Sequence, residues 1–459
     1  MKHPIPLRRS MRAIVLSAAA AALLSACGGN DVIWEGTPPP ASCSAADRKD
    51  WLRSYMQDWY FWYQISPNPA PAPYADADAY FNALLYTGGT DLPADRWSYV
   101  SSTEAYQRFY DRGQTLGYGL LIAGLEVTGH PERPLYARYI EPNSPAALAG
   151  LVRGDQILSV NGRSAADMIA ANDYSALSAI NSGETAVVQV SNASGVREVN
   201  LMSAVYDLKP VPNASVMTTP QGHKLGYLMV KDMAADADWD TDDAFRLFRQ
   251  SAVTELVIDL RYNGGGLVAI AAAIASYPSV TKTAGSVYAN LTFNNRHNDA
   301  NGYFAFSNFS NGLNLSRVYV LTGPRTCSAS EQLINSLRPF IDVVTVGDTT
   351  CGKPVGFTPQ DDSCGSTYSA VTFESTNSQN QGRYFDGFPA NCAVSEDFGK
   401  ALGDPTEPLL AAALQQVDGG ACPVTLAGNA RSQTQAWRGL LKQHPHWLEP
   451  GERQGMLTR

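Results

Sequence analysis

RVYVLTGPRTCSASEQL, residues 317–333, decides how the chain is read. It opens as an apolar, β-branched run, turns at Gly323-Pro324, and closes on a helical pattern that begins near Ser328 and Glu331. A serine followed three residues later by a glutamate is a capping box, in which each side chain satisfies an orphan backbone N–H at a helix start. The same residue stands at the C-terminal end of a strand, where sites sit in α/β layers. These residues alone leave Ser328 open as a cap or as a nucleophile.

The pattern repeats around it. KLGYLMV (224–230) reads as a strand, and TDDAFRLFRQ (241–250) as a helix with Asp242 and Asp243 near its start. ELVIDL (255–260) is a buried-type strand that runs into RYNGGG and the apolar helix LVAIAAAIAS (267–276). DVVTVGD (342–348) is a further strand. Such repeats make an α/β layer, with Gly264, Gly265, Gly266 and Ser328 all at strand ends. The Asn- and Phe-rich stretch 285–313 reads as an insertion or loop.

Lys353, in VGDTTCGKPVGF (346–357), follows Ser328 by one helix and one strand, enough chain to go out and come back. A free lysine, with a pKa of about 10.4, is protonated at neutral pH. Burial in an apolar pocket lowers that to about 7–8, which suits a general base. Ser328 at a helix N-terminus has backbone N–H groups and the positive dipole end beside it, the field an oxyanion needs. The triple glycine offers a second set of unshielded N–H groups. Taken singly, the lysine reads as a solvated turn residue and the glycines as a tight turn.

The chain has 459 residues, 44% hydrophobic and 17% charged, long enough for about three domains. Its net charge of -9 argues against nucleic acid as a partner, since phosphate binding needs a basic face. MKHPIPLRRSMR is basic, AIVLSAAAAALL is apolar and LSAC follows: a signal peptide over 1–26, too short in its apolar part to span a bilayer. Leu24-Ser25-Ala26-Cys27 resembles a bacterial lipobox. That implies a lipid on the Cys27 sulfur and a periplasm-facing chain anchored in the cell envelope; Gly28 and Gly29 in place of an aspartate point to the outer membrane. Plain secretion is the alternative. Cys43, Cys327, Cys351, Cys364, Cys392 and Cys422 remain, an even set that suggests disulfides in an exported chain. Pairing is not deducible from the sequence; Cys327 with Cys351 and Cys364 with Cys392 are the expected bonds. No CxxC pair or Cys/His cluster suggests a metal.

Residues 27–45 read as a tether. ADRKDWLRSYMQDWYFWYQIS (46–66) carries Trp51, Leu52, Tyr55, Met56 and Trp59 at helical spacing, and a second helix is expected near 76–86, giving a helical region over 46–112. Residues 113–205 change character: LGYGLLIAGL and RPLYARYI read as strands, and SPAALAGLVRGDQILSVNG (144–162) as helix, turn, strand and Asn-Gly hairpin turn. This region resembles a PDZ domain of the bacterial protease type, which implies that Gly117, Tyr118, Gly119 and Leu120 hold a peptide C-terminus, with the peptide adding as a strand to an open edge. A β-module without a ligand is the plain alternative.

IDLRYNGGGL (258–267), TCSASEQL (326–333), VGDTTCGKP (346–354) and DRWSYV (95–100), with DPTEPLLAAAL (404–414), together resemble the carboxyl-terminal processing, or tail-specific, serine proteases over roughly residues 46–415. The resemblance implies a multidomain α+β chain: an N-terminal helical segment, a PDZ-like domain and a crotonase-like α/β protease core over 206–415, with a tail at 416–459 that contains a candidate helix, RSQTQAWRGLLKQ. It implies Ser328 as nucleophile and Lys353 as base. Ala329 and Gly265 would supply the oxyanion hole, and Glu331 and Thr350 would orient the dyad. It implies no cofactor, a protein or peptide substrate with an exposed C-terminus, and an adaptor lipoprotein or a second copy as further partners.

The chain departs from the family pattern in three places. Pro354 follows Lys353, and Phe357 stands where many relatives have a glutamine. Cys327 replaces a small residue, and a Cys327–Cys351 bond would clamp nucleophile and base together. Two rival readings remain: a non-catalytic peptide- or apolar-ligand-binding lipoprotein on the same fold, and a Ser-His hydrolase using His130, His223, His297, His444 or His446. No G-x-S-x-G elbow supports the latter.

Overall fold

Three neighbouring strands point their C-terminal ends the same way. In a computed structural model, which describes residues 37–234, 236–423 and 455–458, the first sheet runs Asn213–Thr218, Lys224–Met229, Glu255–Asp259, Arg317–Thr322, Asp342–Gly347, Cys392–Ala393. The first pair is antiparallel and the other four are parallel. Parallel strands need crossovers of a dozen or more residues, and the helices Ala237–Gln250 and Ala329–Leu337 supply two of them. Leu256, Val257, Ile258, Val318, Tyr319, Val320 and Leu321 are buried, as expected for strands covered on both faces.

A second six-stranded sheet runs Gly265–Leu267, Gly455–Leu457, Val355–Phe357, Val371–Thr376, Val287–Phe293, Gly302–Ala305. Residues 285–313 are thus not a loop. They carry an antiparallel strand pair whose Asn290, Asn294 and Asn301 hid it from a composition reading: Asn294 Nδ2 donates to the carbonyls of Asp58 and Tyr60, and Asn301 Oδ1 accepts from Phe293 N.

The N-terminal region is strapped to this sheet. Helix Ala45–Trp59, capped by Ser44, buries Trp51, Leu52, Tyr55, Met56 and Trp59, and helix Ala77–Leu84 is capped by Asp76. Trp51 packs on Tyr368, Phe61 N donates to Val371 O, and Arg48 pairs with buried Asp362 at 2.8 Å.

Residues 114–207 hold the β-rich region, with a sheet ordered Leu120–Ile122, Leu135–Ile140, Gln156–Val160, Thr185–Asn192, Gly195–Met202. The expected single strand LGYGLLIAGL is broken at Tyr118-Gly119. Asn161 and Gly162 both take positive φ, 50° and 79°, the conformation a two-residue hairpin turn demands.

The disulfides are Cys43–Cys364, Cys327–Cys351 and Cys392–Cys422. The expected Cys364–Cys392 bond is replaced. Cys364 lies in the loop after Gln360–Asp361, against the start of the N-terminal helix, and Cys392 lies on a strand of the first sheet. The expected signal peptide with Cys27, the tether up to residue 36, the tail helix, His444 and His446 lie outside the described residues.

Candidate active site

Glu255–Asp259, Arg317–Thr322 and Asp342–Gly347 are adjacent in the first sheet, so their C-terminal ends bring three separate motifs to one crevice: the glycines 264–266, Ser328 and Lys353. Cys351 N donates to Thr326 O at 3.0 Å, and the Cys327–Cys351 bond crosses between Cα atoms 5.2 Å apart. The residue before Ser328 is thereby covalently tied to the residue two before Lys353.

Glu331 is the hub. Fully buried, its carboxylate accepts from Ser328 N (3.0 Å), Lys353 N (2.8 Å), Gly352 N (2.8 Å) and Thr350 Oγ1 (2.5 Å). Burial pushes its pKa up, and these hydrogen bonds pull against that. A buried carboxylate needs such donors, and here two of the four are the backbone N–H groups of the two candidate catalytic residues. Thr350 Oγ1 also accepts from Phe388 N at 2.7 Å, fixing its orientation. Glu331 does close on the backbone N–H of Ser328, as a capping residue should. The Ser328 hydroxyl is buried, and it donates to no acceptor among the described residues.

Ser328 itself sits at φ 60°, ψ -116°, a conformation costing a non-glycine residue about 1–3 kcal/mol. The backbone is bent sharply where the strand turns into the helix. Lys353 is fully buried, with its Nζ 3.5 Å from the centre of the Phe357 ring. Burial holds its pKa well below the ordinary lysine value, against the opposing pull of the Asp95 and Glu331 carboxylates. Phe357, noted in the sequence only as a departure, is the ring that faces the amine. Asp95, within DRWSYV, is the second acid and is anchored by Tyr60 Oη at 2.6 Å. Arg96 donates to Phe385 O at 3.1 Å, beside the same turn.

Gly265 packs against the turn that carries Ser328. A β-carbon there would lie 2.1 Å from Gly455 O, 2.8 Å from Ala329 N and 2.9 Å from Cys327 O, and φ is +99°, so only glycine fits. Ala329 N and the glycine turn therefore do converge. Gly265 N itself donates to Asn263 Oδ1 at 2.8 Å, so the expected Gly265 donor is already engaged in this conformation. Asn263 also accepts from Ser330 Oγ and Cys327 N and donates to Val230 O; it is a positioning residue the sequence reading missed.

The expected peptide loop lies apart from this crevice. Gly117 ends one strand and Leu120 begins the next, an edge strand of the β-rich sheet. Tyr118 and Leu120 pack into that region's core. Gly119 takes φ +74°, where a β-carbon would strike Ser144 Cβ at 2.1 Å. Arg325, three residues before Ser328, forms an ion pair with Glu126 of this region. Of the described histidines, His130 faces Glu132, His223 faces Asp418 and His297 stacks on Trp59.

The architecture is a mixed α/β core with a PDZ domain and an N-terminal helical region, and sequence comparisons agree. Residues 47–99 match the peptidase S41 N-terminal domain, 136–189 a PDZ domain and 224–386 peptidase family S41. These matches mark a peptidase S41 core that carries a PDZ domain. It is 28% identical over 320 residues to the chloroplastic carboxyl-terminal-processing peptidase 3 of Arabidopsis thaliana, covering 65% of this chain and 56% of that protein. It is 28% identical over 234 residues to a carboxyl-terminal-processing protease of Picosynechococcus, covering 50% and 53%. The chain thus spans about half the length of the curated relatives it matches. A crystal structure from Bacteroides fragilis, assigned to the S41 proteases, superposes with TM-score 0.64 at 26% identity, covering 80% of this chain and 97% of that one.

Proposed function

We propose that the chain is a serine endopeptidase of the carboxyl-terminal processing type, in which Ser328 is the nucleophile and Lys353 the general base. The observation that carries this reading is the Glu331 carboxylate, which binds the backbones of Ser328 and Lys353 at 3.0 and 2.8 Å and so fixes the two turns relative to each other. A preorganised pair of this kind is what acyl transfer needs.

The chemistry follows from the residues. Neutral Lys353 takes the Ser328 proton as Oγ attacks the scissile carbonyl. The N–H of Ala329 and an N–H of the glycine turn receive the oxyanion. The leaving amine takes the proton back from Lys353, and water then hydrolyses the acyl-enzyme. Glu331 and Thr350 position the two chain segments without touching substrate. The PDZ domain, through the edge strand Leu120–Ile122, captures a C-terminus of an exported protein substrate. Lipid on Cys27 anchors the chain in the envelope.

The test is cleavage of β-casein by the form lacking residues 1–27, beside Ser328→Ala and Lys353→Ala. Turnover by the parent and none by either folded variant is expected. Turnover that survives Lys353→Ala would refute the base. A parent that neither turns over nor reacts with a serine-directed fluorophosphonate would favour the binding-protein reading.

A further inference from the structure

Ser328 and Lys353 are both 0% exposed, so a substrate cannot reach them in this conformation. One strand beside them has no part in the chemistry above. Gly455–Leu457 lies between Gly265–Leu267, which leaves the glycine turn, and Val355–Phe357, which leaves the Lys353 turn, and it pairs parallel to both. The two flanking strands are not neighbours in the sheet. The gap between them is one strand wide, and this segment fills it.

The fit is that of a bound peptide. Gly455 N donates to Gly264 O at 3.0 Å, Thr458 N donates to Phe357 O at 3.2 Å, and the Thr458 and Thr358 hydroxyls meet at 3.2 Å. Met456 and Leu457 are buried, with the Met456 sulfur 3.6 Å from Gln332 Nε2. Gly455 O and Ala329 N lie 2.1 and 2.8 Å from the same point, the place of the missing Gly265 β-carbon. A peptide carbonyl therefore sits beside the N–H at the start of the nucleophile helix, where a scissile carbonyl would have to come. Gly455 has little room for a side chain: a β-carbon would lie 3.0 Å from both Gly266 Cα and Tyr110 Oη. Thr458 also lines a cavity of about 260 Å³ together with Thr103, Tyr106 and Gln107 among others.

We infer that residues 455–458 are a resident pseudo-substrate, seated in the strand slot that an extended substrate segment must occupy. The inference rests on the proteolytic reading above and names its substrate class: extended segments with glycine at the position of Gly455, two apolar residues after it, then a small hydroxylic one. A tethered segment competes at an effective concentration on the order of millimolar. With an intrinsic dissociation constant of about 100 µM, it would weaken a rival about tenfold.

The test uses the full chain with Met456→Asp and Leu457→Asp, whose charges cannot stay in the buried slot. In a Ser328→Ala background, fluorescein-labelled Arg-Gln-Gly-Met-Leu-Thr-Arg should bind this variant about tenfold more tightly than it binds the single Ser328→Ala chain. With Ser328 present, fluorophosphonate labelling and β-casein cleavage should rise about tenfold, and the free peptide should inhibit competitively. A folded variant that binds the peptide no better and is labelled no faster would make the strand purely structural and overturn the inference. Should the double variant not fold, Thr458→Pro, which deletes the bond to Phe357 O, is judged by the same criteria. Tighter peptide binding with no serine labelling in any form would keep the slot and sink the protease reading. Labelling and cleavage that are present but unchanged by the tail would do the reverse.

Discussion

Lys231 and Lys353 are both fully buried lysines of one fold, and their amines are pushed in opposite directions. At Lys231, burial lowers the pKa, but Asp232 at 3.3 Å and Glu141 at 3.4 Å outweigh it, and the value ends above the ordinary one. At Lys353 burial outweighs the pull of Asp95 and Glu331, and the amine lies 3.5 Å from the centre of the Phe357 ring. Lys231 sits where Glu141 and Tyr139 of the PDZ region meet the core. It is a permanent cation that joins two parts of the molecule. The Lys353 pKa is held well below the ordinary lysine value, the direction the proposed base requires.

The largest effect separates the two by function. Lys353→Ala should lower kcat/KM on β-casein at least about 1000-fold with the fold intact, as Ser328→Ala should, since nucleophile and base act as one unit. Lys231→Met should leave turnover per folded molecule unchanged. It strands two buried carboxylates, so it should cost about 3–5 kcal/mol in urea unfolding. A folded Lys231→Met protein without activity would end the contrast.

The second effect concerns what holds the Lys353 wall in place. Replacing Cys327 and Cys351 with serine opens a covalent loop of 24 residues. Loop entropy puts the loss at about 3 kcal/mol. Because the bond ties the turns that carry Ser328 and Lys353, the proposed nucleophile and base, kcat should fall more than stability alone explains, with KM little changed. Equal kcat for the serine variant and the parent would show that Glu331 alone sets the geometry.

The third effect is in pH. A lysine whose folded pKa lies below its unfolded value of about 10.4 takes up protons on unfolding, so its burden on the fold is present below that value and is relieved as pH rises toward it. Lys353→Met removes the burden, and Tm at neutral pH should rise by a few degrees. The base must be unprotonated, so kcat/KM should fall as pH drops through the depressed pKa. An activity limb near the ordinary lysine value would show that the amine is not buried in the working enzyme. Lys231 has the opposite sign: its contribution is full below the unfolded pKa and is lost as pH rises through its raised folded value.

Much of this was legible because it is local. Strand, turn and helix around Ser328 follow from a β-branched run, Gly323-Pro324 and the Ser328/Glu331 pair, and Lys353 could be placed because one helix and one strand fix the return path. What stayed hidden depends on distant partners. Nothing in GMLT announces a strand; its pairing with Gly265–Leu267 is made by the fold. The Cys43–Cys364 bond spans 321 residues, beyond any local argument. The Val287–Phe293 and Gly302–Ala305 strands were masked by asparagines whose amides serve tertiary bonds. Asn263 looked like part of a plain turn until its side chain was seen binding Gly265, Ser330 and Val230 at once.

The smallest effect tests whether the strain at Ser328 belongs to the site as the lowered Lys353 pKa does. At φ 60°, ψ -116°, an alanine keeps the strained backbone and loses only the hydroxyl. A glycine relieves the strain, worth about 1–3 kcal/mol, but adds about 0.5–1 kcal/mol of unfolded-chain entropy. Ser328→Gly should therefore be more stable than Ser328→Ala by about 1 kcal/mol, read as a higher urea midpoint with an unchanged slope. If alanine is the more stable of the two, the turn relaxes at no cost and Ser328 is held there by nothing more than its helix. If glycine wins, the fold carries two separate costs at this crevice, the strained backbone of Ser328 and the burial of the Lys353 amine, and both residues bind the Glu331 carboxylate through their backbone N–H groups.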